Sequence, residues 1–309
     1  MRITSKILVM MGAAVLMFGL ASCSVNDDIG DDNQPQAVRF SGGIANQALP
    51  DGAPTTKAAG TVWGNDAIGI FMVKNGDVST VHAANKQYTT QGDGNFTAVA
   101  GNEIYFPLTG PAVDFIAYYP YDGGSTLTTP INVEIATEQT DANQPDFDLL
   151  WAKAYNSGSG YTKATPNVAL AFEHKLSKIV MNCTAHASVT APLTDMTIRI
   201  EGMKTKNTFD LSNGAMSGTA DTPANIAPRM IDNGSKYDAI ILPETYAANA
   251  VTVTFTLTNG EPYVWKVPAV TFGSGKEHVY TITLKKTGVE VTGTINPWTS
   301  GTGGSGTAE

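Results

Sequence analysis

Short apolar segments separated by turn residues recur throughout this chain of 309 residues. In its second half, strand-like segments follow one another at intervals of roughly 8 to 14 residues, a spacing typical of β-sandwiches. They are MTIRIEGM, TFDLSNG, YDAIILP, VTVTFTLTNG, YVWKVPAVTF and HVYTITLKK. Gly, Asn, Asp and Pro separate them, and no long stretch has the periodicity of an amphipathic helix. The sequence therefore predicts an all-β fold built from antiparallel sandwich sheets.

The first predicted strand spans residues 37–44 and has one apolar face. Val38, Phe40 and Ile44 lie on the same parity of this segment, so they point to one side of an extended chain. Residues 45–60, which follow, are rich in Ala, Pro, Thr and Gly. This composition predicts an exposed, flexible loop.

Three further strands are expected in the first half, at 67–73, 104–106 and 113–119. The first of them, AIGIFMV, is apolar throughout, which is typical of a central strand. The tyrosines of YYPY (118–121) leave two interpretations open. They form either a carbohydrate-stacking platform or, more commonly for such residues, part of the core with hydroxyls at its rim.

The domain organisation is predicted from a change of pattern near residue 165. A long polar connection at 139–167 precedes a new series of alternating segments. We therefore expect an N-terminal β-sandwich at 37–164 and a C-terminal one at 165–298. The Gly- and Ser-rich tail at 299–309 is expected to be disordered.

Residues 1–22 have the layout of an export signal that ends at a cysteine. Arg2 and Lys6 flank the start of an apolar stretch of roughly 15 residues, too short to span a bilayer comfortably. The letters LAS then precede Cys23, as in the lipobox of bacterial lipoproteins. Acylated Cys23 would be the first mature residue and would anchor the chain to a membrane. The alternative is a buried cysteine at the end of an uncleaved helix, and the acidic segment 23–36 predicts a flexible tether.

Charge and cysteine content restrict the partners and the means of stabilisation. Removing Arg2 and Lys6 from the 19 basic residues leaves 17 against 28 acidic ones, a net charge of −11, which disfavours nucleic acid as a partner. Cys23 and Cys183 are the two cysteines. If Cys23 carries lipid, no intramolecular disulfide can form, and stability must come from apolar burial.

Residue patterns that carry catalysis or bind metals are weak in this sequence. The four histidines are scattered, and the Cys183–His186 spacing is a single pair, which is a poor zinc signal. The aspartates of DANQPDFD (141–148) lack the EF-hand spacing and are interpreted as solvated loop carboxylates. The sequence predicts no enzyme, no metal and no cofactor.

Several segments taken in order resemble the fimbrillin family, the lipoprotein precursors of type V pilus subunits and accessory tip proteins. Besides the lipobox they are TTKAAGTVWGNDAIGIFMV (55–73), IYFPLTGPAVDFIAYYPY (104–121), FDLLWA (147–152), LAFEHKLSKI (170–179), AIILPET (239–245) and VEVTGTINPW (289–298). The resemblance implies two tandem transthyretin-like β-sandwiches and a structural rather than enzymatic role.

The resemblance also implies a maturation step. A lipid-anchored precursor at the outer membrane surface would be cut by a trypsin-like protease in the loop after the first strand. In this sequence the cut would follow Lys57, which makes Ala58 the new N-terminus, although family members more often have arginine there. Arg39 is a less favourable basic residue because it lies within the strand. A further interpretation leaves Lys57 as a solvated loop residue in a protein that stays anchored and uncut.

Removal of the first strand would open an apolar groove. In this family a neighbouring subunit's strand fills such a groove by β-strand addition. Burial of Val38, Phe40 and Ile44 is worth about 5 to 8 kcal/mol, from roughly 25 cal/mol per Å² of apolar surface. A marginally stable domain needs a replacement for that contribution, and other pilus subunits are therefore the expected partners.

Two questions about assembly stay open at the sequence level. Val289, Val291 and Ile295 alternate as a donor strand requires, but they could instead close their own domain, as in a tip or accessory subunit. The alternative function is an uncut, surface-anchored adhesin that binds a host protein or glycan. Loops 122–129 and 147–161 would then form its binding surface.

Overall fold

The computed structural model describes residues 34–44, 56–57, 61–63, 66–221 and 223–298. The predicted export signal, most of the tether and the tail therefore lie outside the described residues. In chain order the strands are β1 Arg39–Ile44, β2 Thr56–Lys57, β3 Thr61–Val62, β4 Asp66–Lys74, β5 Asp77–Thr90, β6 Asn95–Ala98, β7 Val113–Tyr119, β8 Ile131–Glu134, β9 Leu150–Ala154, β10 Asn167–His174, β11 Ser177–Ala185, β12 Thr197–Lys204, β13 Lys206–Asp210, β14 Ala215–Met216, β15 Pro223–Ile226, β16 Arg229–Asp232, β17 Lys236–Ile241, β18 Glu244–Tyr246, β19 Thr252–Thr256, β20 Pro262–Lys266, β21 Val270–Phe272, β22 Lys276–Lys285 and β23 Gly288–Pro297. One α-helix, α1, spans Gln144–Phe147, and a 3₁₀ helix spans Asn156–Gly158. Over the described ranges no helix has the length and apolar character needed to cross a membrane.

Seven strands close into a barrel in the order β1-β10-β9-β7-β4-β5-β6. The remaining sheets have the orders β16-β17-β11-β22-β23, β15-β12-β19-β20, β14-β13-β8, β18-β21 and β2-β3. The all-β prediction is confirmed. Most pairs are antiparallel as expected, but β1 with β10 and β11 with β22 are parallel.

Strands β4 and β7 are buried on both faces, which explains their continuous apolar sequences. Ile70 and Phe115 point into the barrel core, whereas Phe71 and Ile116 point outward into a second apolar cluster. This second cluster also contains side chains of the five-stranded and four-stranded sheets. A strand covered on both sides has no polar face, so alternation is lost.

Two interpretations of the aromatic region can now be compared with the structure. The strand predicted at 104–106 is wrong, because Tyr105 makes only an isolated bridge with Ala37. The neighbouring Ile104 instead donates its backbone N–H to the hydroxyl of Tyr88 at 3.0 Å. Tyr118 and Tyr119 are buried, which agrees with the core-packing interpretation.

The described residues from Pro35 onward belong to one compact unit that contains both apolar clusters. Strand β10 follows the predicted boundary near residue 165, yet it pairs within the barrel with β1 and β9. Its alternating residues Val168, Leu170 and Phe172 fill the barrel core. The division into domains at 37–164 and 165–298 stays a prediction.

Candidate functional site: the first strand and its seat in the barrel

Strand β1 closes the barrel by pairing on both sides. It runs parallel to β10, from Arg39 opposite Asn167 to Ile44 opposite Phe172, and antiparallel to β6. The Gly42 N–H donates to the carbonyl of Gly94 at 2.9 Å. Without β1, the edges of β10 and β6 that now pair with it would be exposed, and exposed edges are prone to pair with another strand.

The apolar side chains of β1 are buried, as the sequence predicted, and they belong to the barrel core. Val38 just before the strand and Phe40 and Ile44 within it are each at most 6% exposed. The ring of Phe40 packs edge-on against Tyr88 and Phe115, with centroids 5.1 Å away in each case. The seat of β1 is therefore an aromatic-lined groove. Tyr88 is buried in it, and this burial raises the pKa of its hydroxyl to about 12.

Gly42 lets β1 approach its parallel neighbour closely. A Cβ atom at this position would lie 2.7 Å from the carbonyl oxygen of Leu170 and 3.0 Å from the ring of Phe96. Contacts below 3.0 Å between a Cβ and backbone are essentially never found in proteins. The groove at this point therefore accepts a backbone with a glycine and excludes a larger residue.

The residues predicted for processing differ in how far the structure describes them. Cys23 and Ala58 lie outside the described residues. Lys57 is in strand β2 and pairs with Thr61 of β3, so a short paired strand lies within the segment that the sequence predicted to be an exposed, flexible loop. Arg39 is exposed on the outer face of β1.

Trp63 is a component of the site that the sequence analysis did not single out. It follows β3 directly, is 1% exposed, and packs against Phe96, Tyr119 and Phe172 at centroid distances of 5.5 to 5.7 Å. In the sequence, the signal that could have identified it is a single tryptophan within TVWGN, six residues after Lys57. Trp63 fixes the chain in the barrel on the far side of the predicted cut.

The predicted donor strand lies in a different sheet from β1. Strand β23 is an edge strand that pairs along its whole length with β22. Val289 and Val291 are half-buried, whereas Ile295 is 63% exposed. In this chain the three residues therefore extend their own sheet, and one of them presents an apolar side chain to solvent.

The end of β23 is fixed by a stacked pair. Trp298 is buried, and its ring lies 4.0 Å from that of His174 at an interplanar angle of 7°. His174 Nδ1 is 3.1 Å from Asp148 Oδ1, and both side chains are fully buried. The interpretation of Asp148 as a solvated loop carboxylate is wrong, because this buried histidine is its partner.

A buried ionic network lies around Asp238 on β17. Burial opposes ionisation of this carboxyl group, but hydrogen bonds from Arg229 and the charge of Lys178 hold its pKa below the usual value. Arg229 Nε donates to Asp238 Oδ1 at 2.7 Å, and Lys178 Nζ is 3.2 Å from Oδ2. Asp141 pairs with the same arginine at 2.8 Å. These groups satisfy one another, which is the arrangement of a structural network.

The other candidate ligands are not brought together. Cys183 is buried, which raises its pKa to about 12, whereas His186 is exposed and pairs with Ser188. In the part of the chain that the structure describes, no cluster of three or more His, Cys, Asp or Glu residues could hold a metal ion.

Comparison with known proteins identifies the family. The family model described as fimbrillin-like matches residues 56–298. The chain belongs to the fimbrillin-like family. It is 33% identical over 288 residues to the "Putative fimbrium subunit Fim1C" of Bacteroides uniformis, with 88% of this chain and 90% of that protein covered.

Solved structures are similar to this chain over most of its length. The crystal structure of a "putative cell adhesion protein" from Bacteroides uniformis has a TM-score of 0.70 and 30% identity, covering 86% of this chain and 98% of the other. A second such protein, from Bacteroides ovatus, shares the fold at a TM-score of 0.67 and 21% identity, covering 86% and 98%. Membership supports a fimbrial structural role at the cell surface, with other fimbrial subunits as partners.

Proposed function

We propose that this protein is a type V pilus subunit that assembles by exchanging its first strand. The observation that carries the proposal is the place of β1, which is the first described strand and closes the barrel between β10 and β6. Its three core side chains belong to one short segment that precedes the predicted cut. Removing this segment would expose two strand edges and one apolar groove. The other six barrel strands all follow Lys57 and would remain in one continuous chain.

The precursor is exported as a lipoprotein, anchored in the outer membrane through acylated Cys23. A trypsin-like protease cuts after Lys57, and the segment that contains β1 leaves. A neighbouring subunit's strand then fills the groove by β-strand addition, which restores both the backbone pairing and the apolar burial. The matured subunit is part of an extracellular fimbrium that supports adhesion.

Strand β23 is the donor that this proposal assigns to a stalk subunit. Its edge position and the exposed side chain of Ile295 support the assignment. Donation requires separation of β23 from β22 and loss of the Trp298–His174 stack. A tip or accessory subunit accepts a strand and retains its own β23.

Controlled proteolysis of the lipid-free precursor tests the proposal. A trypsin-like protease is expected to produce one early cut after Lys57, followed by oligomers as β1 is replaced. In Lys57→Gln this cut and the oligomers should disappear. Lys286→Gln is the matched control, because Lys286 is an exposed lysine in the turn between β22 and β23.

Two results of this experiment would contradict the proposal. Complete cutting after Lys57 with only monomers remaining would contradict a polymerising stalk subunit. The cut monomer can then be mixed with excess peptide that has the sequence of β23. If it binds none of this peptide, an accepting tip or accessory subunit is excluded as well.

A further inference from the structure

Strand β8 is the outer strand of its sheet and has one open edge. Among the described strands its partner is β13 alone. Ile135, just after β8, donates its backbone N–H to the carbonyl of Thr205 at 2.7 Å. Because backbone groups alternate sides along a strand, those of Asn132 and Glu134 point away from β13.

The bonding of β13 supports this orientation. Thr208 lies opposite Asn132, and its carbonyl accepts a hydrogen bond from Ser217 on the side away from β8. Thr208 and Asn132 therefore form a non-hydrogen-bonded pair. Among the described strands β13 alone pairs with β8, and this register turns the backbone N–H and C=O groups of Asn132 and Glu134 away from it. Two residues of β8 thus offer four backbone groups to an added strand.

The open edge faces a cleft of about 460 Å³. Residues 129–134 form one side of the cleft, and the loop after β7 together with residues 146–149 forms the other sides. No residue of β13 lines it. The cleft therefore lies beside the unpaired edge of β8, where an additional strand would have to enter.

The loop wall of the cleft is held in place by hydrogen bonds. Tyr118 donates its hydroxyl to the carbonyl of Asp122 at 2.7 Å, and Asn85 donates to the same carbonyl at 2.8 Å. The hydroxyl of Ser125 donates to the Asp122 carboxylate at 3.2 Å. A wall fixed in this way needs little ordering on binding, which favours affinity.

The opposite wall is anchored to the protein core through α1. Gln144 is fully buried and donates to Asp238 at 3.1 Å, and Tyr119 donates to the carbonyl of Pro145 at 2.8 Å. The half-buried Phe147 at the end of α1 lines the cleft. An incoming peptide would therefore meet an apolar contact beside the strand edge.

The charge of the cleft selects the partner. Asp122, Glu134 and Asp146 line it and are exposed, and no lysine or arginine lines it among the described residues. Glu134 is partly neutralised by Lys206, whose Nζ is 3.0 Å from its carboxylate. The two remaining carboxylates favour a cationic occupant.

We propose that the edge of β8 binds an extended, basic segment of a partner protein by β-strand addition. Backbone pairing with Asn132 and Glu134 supplies the affinity, and contacts of lysine or arginine side chains with Asp122 and Asp146 supply the preference. The site is formed with β1 in place in the barrel. It therefore does not depend on the cut after Lys57, and a failure here leaves the strand-exchange proposal intact.

Binding of a defined peptide to the uncut, lipid-free protein tests the proposal. The probe is a blocked octapeptide of alternating lysine and valine, and binding is followed by fluorescence anisotropy at low and at physiological salt. Saturable one-to-one binding that weakens with salt is expected. The same peptide N-methylated on the backbone groups that face β8 should bind at least tenfold more weakly, as should a version with glutamate in place of lysine.

Variants locate the binding site. Asn132→Pro removes one outward N–H without removing a bond to β13, and it should weaken binding about tenfold. Asp146→Asn should weaken binding about 2- to 5-fold at low salt, as expected for a charge at the rim of a site. Glu103→Gln, a change at an exposed carboxylate that does not line the cleft, should have no effect.

NMR shift mapping on the unmodified protein keeps the test independent of variant folding. Peptide-induced shifts confined to residues 131–134 and the walls of the cleft would support the proposal. Any of four results would overturn the proposal. Two concern the peptide: the N-methylated peptide binds equally well, or the shifts occur outside the cleft. The other two concern the occupant: a neutral oligosaccharide binds while the peptide does not, or the protein self-associates in a way that Asn132→Pro abolishes.

Discussion

Truncation of Phe40 to alanine should greatly weaken the hold of the barrel on β1. The side chain is 3% exposed and packs edge-on against Tyr88 and Phe115. A buried Phe→Ala change typically costs about 3 to 5 kcal/mol, and two edge-to-face ring contacts favour the upper part of that range. About 1.4 kcal/mol corresponds to a factor of ten in an equilibrium constant. The dissociation constant of the excised β1 segment should therefore rise at least about 100-fold.

The assay uses lipid-free protein cut after Lys57, in which β1 is held by noncovalent contacts alone. Size-exclusion chromatography followed by mass spectrometry measures how much of the excised segment stays bound over time. Arg39→Gln is the matched control, because Arg39 is exposed on the same strand and its substitution should change stability by no more than about 0.5 kcal/mol. If the Phe40→Ala segment stays bound as long as the wild-type segment, the groove does not hold β1 through its core side chains.

Three other changes probe the packing of the molecule. Gly42→Ala should lower the free energy of unfolding by about 1 to 3 kcal/mol in urea titrations, because its Cβ would lie 2.7 Å from a backbone carbonyl oxygen of β10. Gly123→Ala is the control and should be nearly neutral, because the atom nearest to its Cβ would be 3.5 Å away. Burial lowers the pKa of His278 to about 4, so the stability that depends on its neutral form is complete above pH 6.5 and falls as pH drops from there to 4. His278→Leu should flatten this part of the stability profile measured by denaturation at each pH. Asp238→Asn removes the buried carboxylate that Arg229 and Lys178 share and should cost about 3 to 5 kcal/mol in the same titrations. Asp141→Asn, at a carboxylate that is 85% exposed, should cost less than about 1 kcal/mol.

Local patterns in the sequence predicted several elements correctly. The parity of Val38, Phe40 and Ile44 identified the buried face of β1, and the apolar run at 67–73 identified β4. These signals succeed because side chains alternate between the two faces of a strand, so residues two apart along the chain share the same burial. The prediction at 104–106 failed because apolar residues there enter the core through irregular chain, without forming a ladder.

Strand partners and buried polar pairs could not be predicted in this way. β1 pairs with β10, more than 120 residues later in the chain, and parity gives no information about which strand lies alongside. Likewise, Asp148 occurs in a polar segment, and only the fold places it against His174. The open edge of β8 also depends on its partner, since an edge is defined by the strand that is missing.

The N-terminus of this subunit in assembled fimbriae tests the central claim most directly. Fimbriae sheared from intact cells are separated from membranes, and the N-terminal peptide of the subunit in each fraction is determined by mass spectrometry. The account predicts Ala58 as the first residue in fimbriae and acylated Cys23 in the membrane fraction. Recovery of residues 37–44 as part of the subunit in assembled fimbriae would contradict it, because the groove would then still hold its own strand.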